Sequence, residues 1–256
     1  MTKLSTEPYK GVRDFYPEDM AVQNYIFDTW HKVAKKFGYV EYGASPLEPT
    51  ELYTEKSGAE IVNEQTFTFR DRGGRSVTLR PEMTPTLARM VAARRKSLKY
   101  PLRWYSIPNI FRYERPQRGR KREHWQFNAD LLGLPGLDGD KEIVRFAYEM
   151  FKEFGAKDSD FEIKINNANI DDFKDVTPNI ISDPELARGQ TYYTGIVFEV
   201  FDTDKTNGRA LAGGGRYDNL LELFDVESVP AVGFAIGDIT MLDFLETHKL
   251  RMHASH

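Results

Sequence analysis

Residues 111–133, FRYERPQRGRKREHWQFNADLLG, join a basic loop to a segment of strict two-residue periodicity. Six of the eleven residues from Arg112 to Arg122 are basic, and the proline and glycine among them indicate a loop. From His124 onward polar and apolar residues alternate, which is typical of a strand with one buried face. The polar positions of that strand are His124, Gln126, Asn128 and Asp130. A cationic loop beside an ordered polar face favours a site for a polyanion, with a solvated hairpin tip as the alternative.

The composition limits the classes of function. The 256 residues include 35 Lys and Arg against 39 Asp and Glu, a net charge of −4, so any nucleic-acid contact requires a local basic patch. No cysteine is present, which excludes disulfides, thiolate zinc sites and cysteine nucleophiles. The sequence has neither an apolar leader nor a run of about 18 apolar residues that could span a bilayer. We therefore expect a soluble cytoplasmic protein.

The apolar periodicity predicts alternating helices and strands. Amphipathic helices are predicted from Pro17 to Phe37 and from Asp138 to Phe154, each followed by glycine. A hairpin is predicted over residues 66–80, around Asp-Arg-Gly-Gly. Further helices are predicted at 52–57, 81–93 and 218–224 and from Gly237, and further strands at 39–51 (interrupted at Pro46), 102–107, 109–114, 161–165, 192–201, 209–212 and 229–236. Because hairpins connect most strands, we expect an α+β domain with a largely antiparallel sheet.

Two segments allow more than one interpretation. Residues 166–184 are weakly patterned and predict no clear element. Gly213, Gly214 and Gly215 permit either a close approach of another group to the backbone or a plain tight turn.

Several motifs in one order resemble the catalytic domain of histidyl-tRNA synthetases, which are class II aminoacyl-tRNA synthetases. They are GVRDFYP (11–17), LRPEMTPTLARM (79–90), FRYERPQRGRKREHWQF (111–127), LARGQTYYTGIVFE (186–199), AGGGRYDNL (212–220) and PAVGFAIG (230–237). The resemblance implies a six-stranded, mainly antiparallel sheet flanked by helices, in a homodimer whose interface includes the first helix and Pro46. It also implies that histidine and ATP, with Mg²⁺ on the outgoing phosphates, form histidyl adenylate and pyrophosphate, and that histidine then passes to the acceptor end of tRNA(His).

The resemblance also assigns roles to individual residues. Arg188 and Arg112 are the expected catalytic residues, and no metal-ligating residues are expected. Expected ATP contacts are Arg112 (α-phosphate), Arg120 (γ-phosphate), Glu114 (adenine amino group), His124 (stacked on adenine) and Arg216. Expected histidine contacts are Glu82, Thr84 and Gln126 (amino group), Asp130 with Tyr192 or Tyr193 (imidazole), and Arg188 (carboxylate). Gln117 and Arg122 are the expected contacts of the tRNA acceptor end.

The chain departs from the family pattern at three points. Thr240 stands near where many members have an arginine beside the nucleotide. Either a phosphate ligand is missing here, or another residue, with Arg216 as the candidate, supplies it. Gln190-Thr191 replaces the usual Leu-Asp after Arg188-Gly189. We expect residues 1–250 to form the catalytic core, with 166–184 as a short replacement of the family's insertion domain and 251–256 as a tail or cloning scar. The anticodon-binding domain is expected to be missing.

Two other functions fit the same fold. One is a non-catalytic relative, the histidine-sensing regulatory subunit of ATP phosphoribosyltransferase. The other is a trimmed, inactive dimeric scaffold. The presence of Arg112, Arg120 and Arg188 favours the synthetase, because the regulatory subunits usually lose such arginines.

Overall fold

The computed structural model describes residues 4–54, 65–189 and 191–252. Its α-helices are α1 (Pro17–Lys36), α2 (Glu51–Thr54), α3 (Thr84–Arg94), α4 (Leu137–Glu153) and α5 (Asp238–Thr247). Its strands are β1 (Val40–Glu41), β2 (Leu47–Pro49), β3 (Phe67–Arg70), β4 (Ser76–Leu79), β5 (Leu102–Ser106), β6 (Asn109–Phe111), β7 (Glu123–Leu132), β8 (Phe161–Asn166), β9 (Ile180–Ser182), β10 (Val197–Asp202), β11 (Ala210–Arg216) and β12 (Ala231–Gly237). Short 3-10 helices occupy Arg95–Ser97, Ile170–Phe173 and Leu220–Phe224.

The main sheet is antiparallel at its centre and parallel at its edges. Its strand order is β1-β5-β7-β12-β11-β10-β8-β9, and β6 pairs with the first part of β7. The six strands from β5 to β8 along this path are antiparallel, whereas the edge strands β1 and β9 pair in parallel. The α+β prediction is therefore confirmed, but nine strands form the sheet among the described residues instead of six. The 66–80 hairpin forms a separate sheet with β2.

Helices α1 and α4 cover one face of the main sheet. Ile26, Trp30 and Val33 recur at helical spacing on α1 and are buried, because this spacing places them on one side of the helix. Helix α4 buries a matching stripe of Ile143, Ala147 and Met150. Both helices begin with acidic residues, which favour the positive end of the helix dipole. This packing leaves the opposite face of the central strands available for a cleft.

Three local predictions need correction. Strand β6 ends at Phe111, not at residue 114, because the Glu114 amide turns back to donate to the Arg112 carbonyl over 2.8 Å. Tyr192 and Tyr193 precede β10, which begins only at Val197. The three glycines from Gly213 lie inside β11 and form no turn.

Some predictions fall partly or wholly outside the described residues. The helix predicted for 52–57 is described only as α2, and Gln190 and residues 253–256 are not described. Residues 166–184 contain a 3-10 turn and β9, and their relation to an insertion domain stays a prediction. Within the described ranges, no helix combines the length and apolar character needed to cross a bilayer.

Candidate active site

A small cavity of about 100 Å³, here called the inner cavity, lies over the polar face of β7. Its lining includes Glu82, Thr84, Gln126, Asn128, Asp130, Arg188, Tyr192, Tyr193 and Tyr217. The alternation along β7 places Gln126, Asn128 and Asp130 on this side while Phe127 and Leu131 enter the core. The polar row predicted from the sequence therefore faces a cavity.

Asp130 is the most perturbed carboxylate of the inner cavity. Gly233 of β12 pairs with Asp130, and a Cβ at position 233 would collide with the Asp130 side chain. The Tyr217 hydroxyl donates a hydrogen bond to Asp130. Burial raises the pKa of Asp130 to about 7, although the bond from Tyr217 opposes that rise. Tyr217 is a lining residue that the sequence analysis missed, because the strand predicted there ended at Ala212.

A second carboxylate, Glu82, lies just before the first residue of α3. The Tyr192 hydroxyl donates to it over 3.0 Å, and both side chains are buried. Tyr193 lies beside Arg188, whose guanidinium carbon is 6.0 Å from the tyrosine ring centroid. Both tyrosines line the inner cavity.

Arg188 lies where the inner cavity opens into a second one. Its Nη1 is 2.6 Å from Glu199 Oε1, and this ion pair orients the guanidinium. A Cβ on Gly213 would overlap that guanidinium, so glycine is required for this approach. The Nε of Arg188 has no hydrogen-bond partner within the described part of the chain. The arrangement leaves hydrogen-bonding capacity for a ligand at the junction.

The second cavity, here called the outer cavity, has a volume of about 440 Å³ and is rich in arginine. Its lining includes Arg112, Glu114, Arg120, His124, Arg188, Glu199, Arg209 and Thr240. Arg112, Gln126 and Arg188 line both cavities, which therefore adjoin each other. Arg112 Nε donates to the Pro81 carbonyl over 2.8 Å, and Arg120 Nε is 3.0 Å from Glu114 Oε2. Several guanidinium groups thus converge on a space that suits phosphate groups.

His124 contributes a neutral ring to the outer cavity. Burial, with the positive charges of Arg112 and Arg13, lowers the pKa of His124 to about 3. The imidazole is therefore uncharged over the physiological pH range. An uncharged aromatic ring at this position can pack against a flat heterocycle.

The structure does not bring Arg216 to this cleft. Its guanidinium is buried, with Nη2 2.6 Å from Asp140 Oδ1 and Nη1 3.0 Å from Asp218 Oδ1. It also donates to the Gly136 carbonyl. The assignment of Arg216 to ATP is thus contradicted by its position, because its donors are already used inside the protein.

Arg122 is also directed inward. Its Nη1 donates to the Tyr9 hydroxyl over 2.9 Å, its Nε donates to the Glu114 carbonyl, and it stacks over Tyr113. This buried position corrects the expectation that Arg122 contacts tRNA. Gln117, by contrast, is exposed at the loop tip, where its backbone pairs with Arg120.

Thr240 and Arg209 lie side by side in the outer cavity, where many family members have an arginine near the position of Thr240. The Thr240 hydroxyl donates to backbone carbonyls of Leu211 and Gly237, so it is engaged within the fold. Arg209 lines the outer cavity beside it and was missed by sequence analysis, because no motif includes it.

The antiparallel core and its two joined cavities have the architecture of a class II aminoacyl-tRNA synthetase catalytic domain. A family model described as histidyl-tRNA synthetase matches residues 11–176 and 167–240. The histidine–tRNA ligase of Leptospira biflexa is 36% identical over 331 aligned positions, covering 97% of this chain and 76% of that protein. The chain therefore belongs to the histidyl-tRNA synthetase family.

Solved structures agree with this assignment. The apo histidyl-tRNA synthetase of S. aureus superimposes with a TM-score of 0.80 at 27% identity, covering 98% of this chain and 72% of that chain. A Bacillus halodurans structure, titled an ATP phosphoribosyltransferase regulatory subunit/histidyl-tRNA synthetase, gives a TM-score of 0.79 at 22% identity, covering 94% and 83%. At that identity the second likeness shows the fold alone.

Proposed function

We propose that this chain is the catalytic core of a histidine–tRNA ligase. It would activate histidine with ATP and then transfer the histidyl group to tRNA(His). The observation that carries this proposal is that a carboxylate-bearing inner cavity adjoins an arginine-rich outer cavity, with Arg112 and Arg188 lining both. Family membership implies ATP as a substrate and supports the same assignment.

The inner cavity has the groups needed to recognise histidine. Asp130 and Tyr217 would bind the imidazole through its ring nitrogens. Glu82, with Thr84 and Gln126 nearby, would bind the α-ammonium group. This orientation directs the α-carboxylate toward Arg188 and the outer cavity, because Arg188 lies at the junction.

The outer cavity would bind ATP. Arg112 and Arg120 are the candidate phosphate ligands, Glu114 would accept from the adenine amino group, and His124 would stack on the base. The described residues contain no cluster of three or more carboxylate or imidazole groups that could hold a metal. Glu114 and Glu199, which line the cavity, are each paired with an arginine. Mg²⁺ binds proteins through one or two carboxylates together with substrate phosphates, so it would arrive here on the phosphate oxygens of ATP.

Adenylate formation requires alignment and charge stabilisation. An oxygen of the histidine carboxylate would attack the α-phosphorus in line, and the bond from that phosphorus to pyrophosphate would break. Arg112 and Arg188 would stabilise the negative charge on the phosphate oxygens, and no protein nucleophile is needed. A ribose hydroxyl at the tRNA end would then displace AMP from the adenylate. Gln117 is the candidate contact for that end, whereas Arg122 would shape the loop.

The protein's assembly and location are part of the same proposal. We expect a cytoplasmic homodimer, with α1 and the β2 region around Pro46 in its interface. The competing function is a histidine-sensing regulatory subunit, which would bind histidine without forming adenylate. The arginines at positions 112, 120 and 188 all line the outer cavity, and this favours the ligase.

The direct test is histidine-dependent exchange of labelled pyrophosphate into ATP. We expect exchange with the unaltered protein, a loss of at least about a hundredfold in Arg188→Ala, and little change in Arg75→Ala, which removes an exposed arginine from the β3–β4 hairpin. Histidine binding without exchange would support the regulatory subunit. Binding of neither histidine nor ATP would support the inactive scaffold.

A further inference from the structure

Arg209 lies at the entrance to β11, on a different wall of the outer cavity from Arg112. Around it, the wall consists of the start of β11 and the Gly237–Thr240 segment that begins α5. Among the described lining residues of this wall, Arg209 is the sole cation. Thr240 adds no charge, and its hydroxyl already donates to backbone carbonyls.

The Arg209 guanidinium is not hydrogen-bonded to any carboxylate of the described residues. Across the described residues, no hydrogen bond or ion pair joins it to another side chain. Neighbouring arginines are paired: Arg120 with Glu114 at 3.0 Å, and Arg188 with Glu199 at 2.6 Å. Arg118, in the adjoining groove, lies 4.0 Å from Asp243.

The surrounding chain holds Arg209 close to other positive charge. Burial and then the charge of Arg120 lower the pKa of Arg209, while the Glu114 carboxylate opposes this shift. The guanidinium groups of Arg120 and Arg209 therefore repel each other. The basic loop also packs against the aliphatic part of the Arg209 side chain, because a Cβ on Gly119 would lie 3.1 Å from Arg209 Cδ. The single carboxylate of Glu114, already paired with Arg120, only partly offsets the charges of two guanidinium groups, so a further anion between them would be favourable. The geometry therefore suits a multiply charged ligand that spans Arg120 and Arg209.

We propose that Arg209 binds the triphosphate of ATP from the β11 side of the outer cavity, as a substrate-binding residue that complements Arg112 and Arg120. This inference rests on the proposed function, because it takes ATP as the polyanion. It assigns to Arg209 the role that the sequence had suggested for Arg216.

The test compares Arg209→Ala, Arg209→Lys and the control Arg118→Ala. Arg118→Ala removes the same charge from the adjoining groove but outside the outer-cavity lining. In pyrophosphate exchange, we expect Arg209→Ala to raise the KM for ATP about tenfold or more, since a charge-assisted hydrogen bond is lost. The KM for histidine should stay within about twofold, because Arg209 is absent from the inner-cavity lining. Arg209→Lys should recover part of the loss, and Arg118→Ala should resemble the unaltered protein.

Calorimetric binding of ATP separates this inference from the proposed function. If Arg209→Ala and Arg118→Ala have the same KM and the same Kd for ATP, the inference is wrong even though exchange occurs. If the unaltered protein does not exchange but Arg209→Ala weakens ATP binding, Arg209 is a nucleotide ligand and the ligase proposal fails. Thermal melting of all variants identifies any loss of folding. If Arg209→Ala does not fold, Arg209→Lys is compared with Arg118→Ala instead.

Discussion

The Tyr217 hydroxyl donates a hydrogen bond to the buried Asp130 carboxylate in the inner cavity. The two residues come from different parts of the sheet, because Asp130 lies near the end of β7 and Tyr217 directly follows β11. The pair presents a polar edge at the position proposed for the imidazole. Because burial raises the pKa of Asp130 to about 7, its ionisation is coupled to folding and to ligand binding.

Replacement of Asp130 should change how the free energy of unfolding depends on pH. Between pH 3.8 and about 7, Asp130 is protonated in the fold but ionised in the unfolded chain. Its contribution to stability is therefore fully present below pH 3.8 and is lost progressively as the pH rises from 3.8 through about 7. We expect the free energy of unfolding of Asp130→Asn, relative to that of the unaltered protein, to rise by about 2 kcal/mol from pH 5 to pH 8. Urea unfolding across this range measures the gap, and a constant gap would show that Asp130 has an ordinary pKa.

Close packing at β11 should make Gly213 essential for catalysis. A methyl group there would displace the Arg188 guanidinium from the junction of the cavities. We expect Gly213→Ala to reduce the exchange rate by about a hundredfold, because small displacements of aligning groups are costly. Gly43→Ala is the matched control, since a Cβ at Gly43 meets no atom within 4 Å. Equal exchange rates in both variants would contradict the assigned position of Arg188.

Arg216 should be important for stability and unimportant for ATP affinity. Arg216→Ala leaves the Asp140 carboxylate buried without its partner, which should destabilise the fold by about 3–5 kcal/mol. The double variant Arg216→Met with Asp140→Leu should recover much of this loss, because both charges are removed together. We expect the KM for ATP of the folded protein to be unchanged. A large rise in that KM at full stability would restore Arg216 as an ATP ligand.

His124 should not titrate in the working range of the enzyme. Its pKa of about 3 keeps the ring neutral above about pH 4. The dependence of the KM for ATP on pH between 5.5 and 8 should therefore have the same shape in His124→Phe and in the unaltered protein. Exchange kinetics measure this, and a transition near pH 6.5 that disappears in His124→Phe would exclude a neutral His124.

The sequence predicts the inner cavity better than the outer one, for a physical reason. Alternation along β7 is local, so it identifies the face on which Gln126 and Asp130 lie. The position of Arg216 depends instead on the register of β11. Gly213, which faces Arg188, and Arg216 are three residues apart in the regular part of that strand, so they lie on opposite faces.

The two-residue alternation along β11 does not predict which cavity Arg209 lines. The pairing of β10 with β11 shifts between Val200 and Phe201, where the register passes from Ala212 to Ala210. Such an irregularity breaks the two-residue periodicity. Assigning Arg209 to a cavity therefore requires the three-dimensional structure.

The contacts of Arg122 make the beginning of the chain a structural support for the basic loop. Its amide donates to the Gly11 carbonyl over 2.7 Å, and its guanidinium reaches the Tyr9 hydroxyl. Residues 9–11 thus brace the loop that carries Arg120 from behind. A purification tag fused immediately before Tyr9, or a deletion through Gly11, would loosen the nucleotide pocket without altering any residue that lines it.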